Sequence, residues 1–238
     1  MNWSRVLIVF FAPVVCVLAS TQPSPAPEAV VDTYTAISRG QGERLRGASM
    51  DVEIEANLPK LQKQGRLKAL RRISRLGRIS YEAILFEGDK SVKSNIIARY
   101  LAAESEAQAA DESLLAVTPA NYKFKYKGHS GEGENQIYIF QLTPRTKRVG
   151  LFKGELWIDA ATCLPVRESG QLVKTPSVFL KRVEFVREFY IRGGVAVPLQ
   201  IASTLETRLV GRAEVTVHFR NVELAGDSAV TLAAASGQ

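Results

Sequence analysis

Val183-Glu-Phe-Val-Arg-Glu-Phe-Tyr-Ile-Arg-Gly-Gly-Val-Ala-Val-Pro-Leu-Gln-Ile-Ala-Ser-Thr-Leu205 is the stretch that decides the fold of this chain. Val183, Phe185, Phe189 and Ile191, with Phe179 upstream, share one side of an extended backbone, with Lys181 and Arg187 as exceptions. Val195, Val197, Leu199, Ile201 and Leu205 repeat the pattern after the turn. A period of two marks strands with one buried face. Gly193-Gly194 leaves room only for a tight turn, so the two strands are antiparallel neighbours. Val210-Gly211 is an equally short link to a further alternating run, Val215, Val217 and Phe219. Upstream, Tyr122, Phe124 and Tyr126 alternate with Lys123, Lys125 and Lys127, and strands are expected near 135–143, 151–159, 164–173, 178–191, 195–209 and 211–223. The second half of the chain is therefore a β-meander.

The first half mixes helix and strand. Val30, Tyr34 and Ile37 fall on one face of a helix expected over 28–39, which Gly40 can end. Met50, Val52, Ile54 and Ala56 then alternate with acids as a half-buried strand. Residues 60–78 hold Lys60, Lys63, Arg66, Lys68, Arg71, Arg72, Arg75 and Arg78 and no acid. Leu67, Leu70, Ile73 and Leu76 recur at threes, which allows a basic amphipathic helix. Strict threes drift around a helix, however, and Gly65 and Gly77 bracket the segment. A strand pair, about 66–75 and 79–87 with a turn at Gly77, is the preferred reading. It points Arg66, Lys68 and Arg72 one way and Arg71 and Arg75 the other. A helix over 92–110 follows, its stripe made by Ile96, Ile97, Tyr100 and Leu101. Early helices and a long meander give an α+β domain. The expected form is a strongly curved antiparallel sheet of roughly nine to eleven strands, with two or three helices covering its concave face.

Residues outside this domain have a different character. Arg5 precedes the uncharged apolar run Val6–Ala19, too short for a spanning helix of roughly 20 residues and suited to a secretory signal cleaved near Ala19. Val15 stands where lipidation of Cys16 would need a small residue. Residues 20–27 form a Pro-rich spacer, 28–223 the domain, and 224–238, rich in Ala, Gly and Ser, a weakly ordered tail. The chain has 238 residues, 46% hydrophobic and 23% charged, with a formal charge of +7, which excludes disorder as the dominant state.

Catalytic chemistry is hard to assemble from these residues. Two His, His129 and His218, and two Cys, Cys16 and Cys163, lie far apart in sequence, so neither a metal cluster nor a disulfide scaffold is expected. Gly128-His-Ser-Gly131 is not the nucleophile elbow of a hydrolase, and His129 reads as a turn residue. His218 alternates with Val217 and Phe219 and points away from the apolar face. Cys163 reads as a turn residue before Leu164-Pro165. No catalytic residue, metal or cofactor is expected.

The order of elements, with Gly154-Glu-Leu-Trp-Ile-Asp159, Pro165-Val-Arg167, Val183-Glu-Phe185, Val197-Pro198 and Val215-Thr-Val-His-Phe219, resembles the LolA/LolB/RseB superfamily of periplasmic lipoprotein-handling proteins over about residues 28–223. Among its branches the sequence is most similar to the outer-membrane lipoprotein-sorting proteins. The resemblance implies an unclosed β-barrel with a helical lid over an apolar cavity that receives acyl chains. Alternation places Val183, Phe185, Val197, Leu199, Val215 and Val217 on the inner face, with Tyr100 and Leu101 on the covering helix; these are the expected cavity residues. The expected partner is a lipid or an acyl-modified lipoprotein in the periplasm. Arg66, Lys68, Arg71, Arg72 and Arg75 are the candidates for contact with an anionic membrane surface or an envelope protein. Export argues against nucleic acid as the partner of this basic tract. An envelope scaffold or sensor with a filled core, binding a protein through its basic surface, is the alternative.

Overall fold

The computed structural model describes residues 26–109, 112–176, 178, 180–208 and 211–225. The expected signal, most of the spacer, Phe179 and the tail beyond 225 lie outside the described residues. Ten strands form one sheet: β1 (Ser49–Leu58), β2 (Lys63–Ile73), β3 (Ile79–Gly88), β4 (Tyr122–Ser130), β5 (Ile137–Pro144), β6 (Phe152–Asp159), β7 (Pro165–Leu172), β8 (Leu180–Arg192), β9 (Val195–Thr207) and β10 (Arg212–Glu223). Their order is β3-β2-β1-β10-β9-β8-β7-β6-β5-β4, antiparallel throughout. The last strand returns to pair with β1, so the N-terminal hairpins and the meander become one surface. Edges β3 and β4 do not meet, and the barrel stays unclosed.

Register carries the alternation across the whole sheet. One inner row runs Phe140, Leu156, Glu168, Arg187, Ile201, Val217, Ile54, Leu67 and Phe86 from β5 to β3. Helices pack on this face in two places. α1 (Pro27–Ser38) starts with Pro at its first position, where no N–H is missed. It buries Val30, Val31 and Tyr34 against Tyr122, Phe140, Leu142, Leu156 and Ile158. The short α2 (Gln41–Arg44) follows and is tied to the β8–β9 turn by Arg44, which donates to the Gly194 carbonyl at 3.1 Å. Further along, α3 (Lys90–Val92) is capped by Asp89, whose carboxylate accepts from Ser91 N at 2.7 Å. A π-helical turn (Lys93–Ile97) and α4 (Ala98–Ala109) complete the run.

Val92 and Ile97 lose essentially all exposure among Met50, Val52, Ile54, Leu67, Val215 and Val217. Each such aliphatic side chain stabilises by about 1.5–3 kcal/mol before entropy is counted. The apolar interior thus falls into two clusters, one under α3–α4 and one under α1.

Residues 63–73 are strand and not helix, in line with the preferred reading of the basic tract. The helix expected over 92–110 begins two residues earlier, at the Asp89 cap. One expectation of alternation fails at Leu199. Glu188 pairs with Gln200 but Phe189 pairs with Pro198, so Leu199 has no partner opposite it. This bulge leaves Leu199 45% exposed.

Candidate functional site

An open apolar hollow lies between α1 and the β4–β5 edge, with a volume of about 270 Å³. Its floor is built by the alternation noted on β4: Tyr122, Phe124 and Tyr126 point inward with Phe140 of β5, while Lys123 and Lys125 point out. Tyr122 is 1% exposed, and its hydroxyl accepts from Phe152 N at 3.2 Å, so its ring cannot swing away. Burial pushes its phenol up to about 12. Phe124 sits edge-on to Phe140 at 6.2 Å and 6.4 Å from Tyr34. Tyr126 lies 5.7 Å from Phe140, and its hydroxyl pairs with His129 Nδ1 at 3.1 Å. Pro27 and Val31 of α1 and Pro119 form the walls.

The two lips carry opposite charge. Glu28 and Asp32 stand on α1, and Arg145 stands across from them. Arg145 is fixed by donating Nε to the Pro119 carbonyl at 2.8 Å and its backbone N to Asn121 at 2.8 Å. Such a cleft can take an extended apolar group into its aromatic floor and leave a polar end at the rim. A larger hollow of about 520 Å³ lies at the opposite end of the sheet. Glu55, Asn57, Gln64, Arg66, Glu87 and Glu214 line it, which suits water better than hydrocarbon.

The structure brings together five of the eight residues expected to line a cavity. Val197, Val215 and Val217 belong to the cluster under α3–α4, and Tyr100 and Leu101 pack against it. Phe185 joins the other cluster, edge-on to Phe152 at 5.0 Å. Val183 is buried outside both clusters, and Leu199 is the exposed bulge residue. Sequence reasoning missed the α1–β4 cleft. Its signals were legible, the Tyr122-Phe124-Tyr126 alternation and the Val30-Tyr34 stripe, but nothing in the sequence said that they face one another.

Arg71, expected at the surface, lies inside. Its guanidinium meets Glu104 of α4 at 2.9 Å, donates Nε to the Tyr81 hydroxyl at 3.1 Å and sits over the Phe219 ring. Tyr81 also bonds Glu104, and burial with this carboxylate drives its phenol far above the usual range. The other tract residues on β2 face out, where Arg66 pairs with Glu53 and Glu55 and Arg72 with Glu82. Lys68 and Arg75 are exposed. A second inward ion pair, Arg187 with Glu168 at 3.2 Å, separates the two apolar clusters. Cys163 occupies the β6–β7 turn at φ 55, its thiol pushed up by burial. Among the described residues no group of three His, Cys, Asp or Glu is placed to hold a metal.

No protein-family model matches the chain, and no curated protein matches it. Among solved structures the chain is similar to a DUF1329 family protein from Desulfovibrio piger, at 12% identity over 83% of this chain and 92% of that one, with a TM-score of 0.43. It is also similar to a LolA superfamily protein from Nitrosomonas europaea, at 13% identity over 81% and 93%, TM-score 0.37. A third is a domain from Vibrio parahaemolyticus named for outer membrane lipoprotein sorting, at 11% identity over 83% and 93%, TM-score 0.35. One of these neighbours is named for the LolA superfamily, and at such identities and TM-scores the likeness does not reach to ligand or partner.

Proposed function

We propose that this chain is an exported, periplasmic, non-enzymatic carrier that holds an acyl chain, on a lipid or a lipoprotein, in the cleft between α1 and β4–β5. The observation that carries this reading is the aromatic floor of that cleft, in which buried Tyr122 and Phe140 and half-buried Phe124 lead out to Tyr126, exposed at the mouth. Its volume of about 270 Å³ suits part of one chain and not a whole lipid. A half-dozen buried methylenes would contribute about 5 kcal/mol before entropic costs, which fits reversible loading and release. The apolar run Val6–Ala19 supports export. The alternative, an envelope scaffold binding a protein through the β2 basic tract, has less support, because Arg66, Arg71 and Arg72 already face acids of the same chain.

Displacement of a dansyl-labelled fatty acid tests the reading. Wild type should bind it. Tyr126→Asp, which sets a charge at the exposed mouth, should weaken binding at least about tenfold. Leu101→Trp, in the other cluster, should leave binding unchanged. A folded wild type that binds no fatty acid defeats the carrier reading, and loss with Leu101→Trp alone moves the site beneath α4.

A further inference from the structure

Besides Lys60, Lys68, Arg75 and Arg78 of the basic tract, which have no ion pair among the described residues, the sheet carries a second group of cations without acid partners. They gather at the other edge, where β4 begins and β5 turns into β6. Lys123 points outward from β4 opposite Thr143, and Lys153 stands one step further along the same register on β6. Arg145, Lys147 and Arg148 fill the turn between them. Among the described residues none of these five has an ion pair, whereas Arg66 and Arg72 do. Two apolar side chains protrude beside them: Leu114 is 42% exposed and Val149 38%. The turn and the Leu114 segment are held together, since Arg148 donates to the Leu114 carbonyl at 3.3 Å and Gly150 lies against Leu115.

We infer that this end of the sheet docks on the surface of an anionic phospholipid bilayer. Unpaired lysines and arginines attract phosphate headgroups, and small apolar tips among them can enter the acyl boundary. An acidic protein would use the charge but give no reason for Leu114 and Val149 to protrude within it. Pro119 and Arg145 belong both to this end and to the cleft, so docking sets the cleft mouth at the membrane. The inference stands on charge and exposure and does not require that the cleft bind an acyl chain.

Co-sedimentation of the mature protein with vesicles of phosphatidylcholine, with and without phosphatidylglycerol, at low and high salt, tests it. Wild type should bind only the phosphatidylglycerol vesicles and release them at high salt. Lys123→Gln/Lys147→Gln/Lys153→Gln should bind on the order of 100-fold more weakly, at roughly fivefold per charge. Lys63→Gln/Arg66→Gln/Arg72→Gln removes the same net charge from cations that already face acids and should stay within about twofold of wild type. Leu114→Ser/Val149→Ser should weaken binding about tenfold and keep its salt dependence. Failure of folded wild type to sediment with phosphatidylglycerol vesicles overturns the inference. So does equal loss in the two charge variants, which would make binding a matter of net charge alone.

Discussion

Replacing Glu104 with Ala strands the Arg71 guanidinium inside the protein. The Arg71 side chain is only 10% exposed, against 26% for Glu104, and the two meet at 2.9 Å. Breaking a buried pair by removing one partner costs about 3–5 kcal/mol, because the remaining charge is uncompensated. Partial water access at Glu104 and the retained Tyr81 hydroxyl reduce this to about 2–3 kcal/mol. Arg71→Met should cost less, about 1–2 kcal/mol, since the Glu104 carboxylate can turn to water and Met fills the space beside Met50. The double variant should then be about as stable as Arg71→Met alone and more stable than Glu104→Ala, a coupling of about 2–3 kcal/mol. Urea unfolding followed by circular dichroism measures this; at a slope of about 2 kcal/mol/M, Glu104→Ala should lower the midpoint by about 1–1.5 M. A Glu104→Ala variant within about 0.5 kcal/mol of wild type, or a double variant less stable than both singles, would refute a buried pair that ties α4 to the sheet.

Asp89 caps α3, and its carboxyl, held by Ser91, is lowered to about 2. Its contribution is present above the unfolded value near 4 and fades as pH falls toward 2, so the stability gap between wild type and Asp89→Asn should close over that window in acid denaturation. Burial raises Tyr100 and Tyr122 to about 12 and Tyr34 and Tyr81 beyond that. Their protonated forms therefore stabilise the fold below about pH 10 and that stability is lost as pH rises toward 12; ultraviolet titration should show these four ionising only with unfolding. Gly154→Ala would place a methyl 1.8 Å from the Ser169 carbonyl where β6 and β7 press together beneath Phe152. It should destabilise by about 2–4 kcal/mol in thermal melts, against under about 1 kcal/mol for the same change at the turn residue Gly133 if its positive φ alone is strained.

The strands were legible because each buries one face, and Val215, Val217 and Phe219 or Tyr122, Phe124 and Tyr126 can reach the interior only by alternating. The basic tract was legible as β2 because Leu67, Leu70, Ile73 and Leu76, at strict threes, drift around a helix, and Gly65 and Gly77 bracket the segment. What escaped the sequence depends on register. Arg66 meets Glu53 and Glu55 only because β1 and β2 pair as they do, and Arg71 meets Glu104 only because α4 packs back over the sheet, 33 residues further along the chain. The Leu199 bulge has no local signature beyond Pro198 before it. The α1–β4 cleft joins two segments roughly a hundred residues apart, whose apolar faces were each visible and whose contact was not.

A fatty acid carrying a diazirine near its methyl end, photolysed on the wild-type protein and mapped by peptide mass spectrometry, tests the carrier account most directly. The account predicts adducts on Val31, Phe124 or Tyr126 that a natural fatty acid competes away. Competable adducts on Tyr100, Leu101 or Val215 and none in the cleft would contradict it, as would labelling that no competitor suppresses.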